Sequence, residues 1–95
     1  MEVKWLATAL QNLDDEAEFV GKDNPAAARL VGRIHEAVEN LKTHPAMGRP
    51  GRIHGRRELV VPGTRYIVPY RVRSRLNRVE TLRVFHTSRR LPERW

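Results

Sequence analysis

The spacing of apolar residues changes once along this chain, and the change divides it into two parts. From Thr8 to Leu41 they recur every three to four positions, as on an amphipathic helix. Beyond Gly55 they alternate, as on a half-buried strand. In the first part Ala9, Leu10, Leu13, Ala17 and Val20 make one stripe, with Asp14, Asp15, Glu16 and Glu18 mostly on the other face. Gly21 stops that helix over Thr8–Val20. "NPAAARL" starts a second: Asn24 can cap, and Pro25 suits a first helical position, where its missing N–H costs nothing. Leu30, Ile34, Val38 and Leu41, with Val31 and Ala37 beside them, line this helix. It should end near Thr43, because Pro45 disfavours helix in the residue before it. Two helices joined by so few residues should pack as an antiparallel hairpin.

The remaining segments read as strands and turns. "VKW" at Val3–Trp5 alternates and is a short first strand. Pro45 to Gly55, with its prolines and glycines, is expected to be loop. "RELVV" runs into the turn pair Pro62-Gly63, and "RYIVPYRV" and "VETLRVFH" flank the polar "RSRLNR" as a hairpin. Pro69 cannot donate to a ladder, so its strand must be an edge there or carry a bulge. The predicted order is β-α-α-β-β-β. That is an α+β fold, with a helical hairpin packed on one face of a small antiparallel sheet. Ninety-five residues support one such domain, residues 1–95, and one modest core.

Charge is divided at nearly the same place as the periodicity. Up to Met47, five Lys or Arg oppose eight Asp or Glu, a net of −3; from Gly48 onward, thirteen basic residues oppose three acidic ones, a net of +10. Every basic residue of the second half is arginine, whose planar fork grips phosphate bidentately and stacks on bases. The pattern points to nucleic acid or to an acidic protein partner. Cys is absent, which excludes disulfides and thiolate zinc sites. The N-terminus lacks the features of an export signal, and no apolar run approaches the roughly 18 residues of a membrane span. A cytoplasmic protein with no membrane partner, no metal and no cofactor is expected.

Several pieces in this order carry a resemblance: "VKW", "NPAAARL", "HPAMGRPGR", "RELVVPGTRYIVPYRV" and "LRVFHTSRRLP". Together they resemble the RelE/ParE superfamily, the toxin halves of bacterial type II toxin–antitoxin pairs. The resemblance implies a compact α+β fold and neutralisation by a cognate antitoxin. It also implies a target that is either mRNA on the ribosome or DNA gyrase. Ribosome-dependent members often carry arginine where this chain has Ile67, in "YIVPY"; gyrase-directed members commonly lack it. In the other direction, Arg89 falls near a second functional arginine of the nuclease branch, and the chain ends soon after its last strand. The reading placed first is ribosome-dependent mRNA cleavage. The alternatives are gyrase inhibition by binding without catalysis, and a basic nucleic-acid-binding module.

RNA cleavage through the 2′-OH needs a base, an acid, and cations to stabilise the crowded phosphorane. Arginine serves only the last of these, because it stays protonated. Arg65 and Arg89 are the expected phosphate contacts, with Arg52, Arg56, Arg57, Arg71, Arg83 and Arg90, together with Arg49, completing a basic surface. His86 and His54 are the candidate acid or base, since histidine titrates near neutrality. By alternation His86 shares the core side with Leu82 and Val84, so it reads first as a histidine that closes the sheet and second as a site residue. Glu58 reads as an ion-pair partner for a nearby arginine. Of Tyr66 and Tyr70, at least one should be core.

Overall fold

The computed structural model describes residues 1–89 and 91–92. Its elements are β1 (Glu2–Trp5), α1 (Ala7–Val20), α2 (Pro25–Glu39), β2 (Arg49–Pro50), β3 (Arg56–Val60), β4 (Tyr66–Arg73), β5 (Arg78–Thr81) and β6 (Phe85–His86). Two helices pack on a sheet of six strands in the order β1-β5-β4-β3-β2, with β6 also paired to β4. The expected α+β layering holds. The sheet, however, is mixed, because β1 lies parallel to β5. A parallel pair needs a long connection, which the helices and the β2–β4 meander supply.

Local signals act as the sequence suggests. The Asn24 side chain accepts a hydrogen bond from the Ala26 amide at 3.0 Å, and Pro25 opens α2. Beyond α2 a 3-10 turn over Asn40–Lys42 carries the chain toward Pro45. Gly63 takes the left-handed φ of 71° that the Pro62-Gly63 turn requires. The segment expected to be pure loop contains the two-residue β2, which pairs Arg49 with Glu58 and Pro50 with Arg57.

The core lies between α2 and the sheet. Ile34, Ala37, Val38 and Leu41 meet Leu59, Val61, Tyr66, Val68, Tyr70, Val79 and Val84. Both tyrosines are buried. Helix α1 contributes less: Ala9 is its buried residue, whereas Leu10 and Phe19 of the predicted helix stay exposed.

Pro69 sits where the partner of β4 changes. Thr81 of β5 pairs with Tyr70 and Phe85 of β6 pairs with Ile67, so three residues, 82–84, face the two residues Val68 and Pro69. Arg65, opposite Thr87 N–H, and Pro69, opposite Leu82 N–H, both turn their carbonyls to this side of the strand. The missing Pro69 N–H therefore faces the bulge, where no regular ladder bond is needed.

Candidate functional site

The outer face of the sheet was expected to be lined by free arginine. It is instead knitted by two glutamates. Strand β4 is buried from Tyr66 through Tyr70, so Ile67 and Pro69 are covered although they point away from the helices. Beyond them, Arg71 lies opposite Glu80 in the β4–β5 register and donates to it at 2.7 Å. Arg78 reaches the other Glu80 oxygen at 2.8 Å, and Arg73 stands at 3.6 Å. The Arg71 hydrogen bond, reinforced by the three guanidinium charges, holds the Glu80 carboxyl below the usual carboxylate range against the opposing effect of burial. Glu58 pairs with Arg49 at 3.1 Å, the expected ion pair.

One margin of this face gathers several arginines around a hollow. Arg56, Arg71 and Arg83 line an open pocket of about 370 Å³ with Leu6, Thr8, Ile53 and Leu82. The backbone start of α1, at Leu6, carries no side-chain cap there. Arg52 and His54 belong to the exposed loop just before β3. Arg57 turns away from this margin and donates to the carbonyls of Gly48 at 2.8 Å and Ala46 at 3.4 Å, clamping the loop after α2. Arg90 lies outside the described residues.

The other sequence candidates gather at the far end of β4. Arg65 donates to the Ser88 hydroxyl at 3.1 Å, and its carbonyl accepts from Thr87. His86 sits edge-on to Tyr66, with ring centroids 4.9 Å apart, and its Nδ1 accepts the Ser88 amide at 3.1 Å. Tyr66 donates its hydroxyl to Glu16 at 2.9 Å. Burial, and then Glu16, push the Tyr66 phenol up to about 12. Arg89 forms an ion pair with the same Glu16 and stacks over the Phe19 ring at 3.9 Å. Arg65, His86 and Arg89 thus share one end. His54 lies beyond the opposite end, separated by most of β4, roughly 25 Å at about 3.3 Å per residue.

Glu16, Phe19, Ser88 and Glu80 were not singled out by the sequence. Glu80 could have been found, because the hairpin register sets it across from Arg71. Nothing in the linear sequence ties Glu16 to Arg89.

Comparison with known proteins now fixes the kinship. Residues 3–91 match the family described as the ParE toxin of the type II toxin–antitoxin system, parDE. Y4kP of Sinorhizobium fredii is 45% identical over 92 residues, covering 96% of this chain and 93% of that protein. Toxin RelE2 of Caulobacter vibrioides is 32% identical over 89 residues, covering 93% and 97%. Among solved structures, a chain of the chromosomal ParDE system from P. aeruginosa superposes with a TM-score of 0.79 at 27% identity, covering 90% of this chain and 95% of that one. A chain of the RelBE2 toxin–antitoxin complex from Mycobacterium tuberculosis gives 0.67 at 26% identity, with the same coverage. The layered fold, the arginine-rich half and these matches over nearly the whole length lead to one conclusion: the chain belongs to the ParE toxin family, the toxin side of type II toxin–antitoxin systems.

Proposed function

We propose that this toxin inhibits growth by binding its target without chemistry of its own, and that DNA gyrase is the target, as kinship with ParE implies. The observation that carries this reading is the engagement of the candidate acids and bases. His86 is packed against Tyr66 and accepts from Ser88, while His54 is at the other end of the sheet. Tyr66 stays protonated at neutral pH and so offers no base. Arg89 is already matched by Glu16. A binding surface needs none of these groups to titrate. Ribosome-dependent mRNA cleavage, placed first on sequence, therefore becomes the second reading. The likeness to Toxin RelE2 and the convergence of Arg65, His86 and Arg89 favour it.

Two assays on the purified toxin separate the readings: inhibition of gyrase supercoiling, and cleavage of mRNA bound to ribosomes. Supercoiling should fall with toxin concentration while the mRNA stays intact. Cleavage with unaffected gyrase would refute the proposal.

A further inference from the structure

Four charged side chains stand in one row across the outer face of the sheet. Lys4 lies opposite Glu80, Glu80 opposite Arg71, and Arg71 opposite Arg56. The last of these pairs sets like charges directly across from each other, which destabilises a sheet. Glu80 is the one carboxylate in the row, and Arg73 and Arg78 share it with Arg71. The other acids of this face are engaged elsewhere: Glu58 is paired with Arg49, and Glu2 lies across from Arg78 in the neighbouring row. Among the described residues, cations therefore outnumber anions at the Arg56 end of the row.

Arg83 joins them from the bulge over 82–84. Leu82 and Val84 are buried on either side of it, and both are tied down. The Leu82 amide donates to the Pro69 carbonyl at 2.9 Å, and the Val84 amide donates to the Asn12 side chain at 3.1 Å. The bulge thus turns Arg83 outward, where it lines the 370 Å³ hollow together with Arg56 and Arg71. The backbone of Arg56 is held as firmly, since its amide donates to the Ile53 carbonyl at 3.1 Å and its carbonyl accepts the Gly51 amide at 2.7 Å. Arg71 uses its Nε–H on Glu80 and keeps its terminal N–H donors. The side chains of Arg56 and Arg83 are partly buried, yet neither has a hydrogen bond or ion pair among the described residues. Leu6, Ile53 and Leu82 give the hollow an apolar lining.

We propose that this hollow grips a phosphate of a nucleic-acid backbone, with Arg56 and Arg83 as its principal contacts and Arg71 as a third. A carboxylate offers a flat pair of oxygens that one guanidinium fills. A phosphate presents its oxygens tetrahedrally, so arginines arriving from β3, β4 and the bulge can each engage it. The same forks stack on bases, and the apolar lining suits a sugar or base carried beside the phosphate. An anion held there also offsets the repulsion between Arg56 and Arg71. The site goes beyond the choice of cellular target. Arg56 and Arg71 lie about 20 Å along the sheet from Arg65, at about 3.3 Å per residue, and so stand apart from the Arg65, His86 and Arg89 end.

The test titrates the full-length toxin with two labelled probes of equal length, a duplex DNA and a single-stranded RNA, from about 50 to 200 mM salt. Arg56→Gln and Arg83→Gln should each bind the tighter probe roughly three- to tenfold more weakly at the low-salt end. Each should also reduce the slope of log affinity against log salt by about one. The probe that binds more tightly identifies the source of the phosphate. Arg29→Gln, on the exposed side of α2, removes the same charge from elsewhere and should change neither quantity. Because Arg56 opposes Arg71, Arg56→Gln should melt no lower than the parent. Affinities within twofold of the parent with unchanged slopes, or an equal loss in Arg29→Gln, would overturn the proposal. So would a parent toxin that binds neither probe at low salt, and an Arg56→Gln protein that melts well below the parent would make Arg56 structural instead. Variants that keep the nucleic acid but lose the cognate antitoxin would assign the hollow to an acidic protein and sink the phosphate reading. Neither probe contains gyrase or ribosomes, so this inference and the proposed target fail separately.

Discussion

Replacing Tyr70 by phenylalanine removes one oxygen atom from the centre of the fold and should unfold the protein many degrees sooner. The ring would still fill its space, so the loss is one of hydrogen bonding and not of packing. Two backbone groups depend on that oxygen: the Gly48 N–H, at 2.9 Å, and the Pro45 carbonyl, at 2.7 Å. Neither can turn to another partner, because Arg57 and the β2–β3 pairing fix the surrounding loop. A buried polar group left without a partner costs about 1–3 kcal/mol. Water reaching the partly buried carbonyl would recover some of that, which leaves a total of about 2 kcal/mol. For a domain of this size each kilocalorie lowers Tm by roughly 4–8 °C, which gives a fall of about 8–16 °C. Thermal unfolding followed by circular dichroism measures it directly. Tyr66→Phe is the control: its hydroxyl has one partner, Glu16, which Arg89 continues to satisfy, so the fall should be much smaller. A Tyr70→Phe protein that melts within about 3 °C of the parent, below one kilocalorie on this scale, would refute the reasoning.

Glu80 should make stability depend on acid. Its folded carboxyl titrates below the ordinary value of about 4.3, so its contribution is full above that pH and drains away as pH falls through the lower folded value. Tm measured from about pH 6 to pH 3, a window spanning that titration, should decline more steeply in the parent than in Glu80→Gln, and parallel curves would sink the claim. Removing the α2 cap with Asn24→Ala should cost about 1 kcal/mol in urea unfolding without changing toxicity; a loss below a quarter of that would show the cap to be idle. His86→Ala should lower Tm by several degrees, because it strips Tyr66 of its edge-on neighbour, and growth arrest should track the folded fraction. A variant that melts like the parent yet no longer arrests growth would make His86 a site residue.

Much of the architecture was legible because it depends on periodicity and on a few punctuating residues. Asn24, Pro25 and Pro62-Gly63 carry their geometry with them, so the helix start and the β-turn could be placed before any contact was known. The parallel seating of β1 against β5 could not, since pairing at long range leaves no trace in spacing. The same distinction runs through the candidate site. That arginines cluster on the second half is a matter of counting. That Glu80 binds three of them while Arg57 turns inward to the Gly48 carbonyl depends on strand register and on which face each residue takes. Pro69 was recognised as a conflict with a regular strand, and the bulge over 82–84 is its resolution.

That bulge also sets how the molecule should breathe. Strand β6 reaches the sheet through two residue pairs, Tyr66 with His86 and Ile67 with Phe85, and the ladder on its N-terminal side is interrupted. Amides from Phe85 to Arg89 can therefore open as a small cooperative unit while β3, β4 and β5 stay closed. In native-state hydrogen exchange they should lose protection at a free energy well below that of global unfolding, and together. Arg89, its bond to Glu16 and its seat on Phe19 travel with that unit. The charge that the closed form keeps matched is thereby offered to solvent, or to a partner, each time that unit opens.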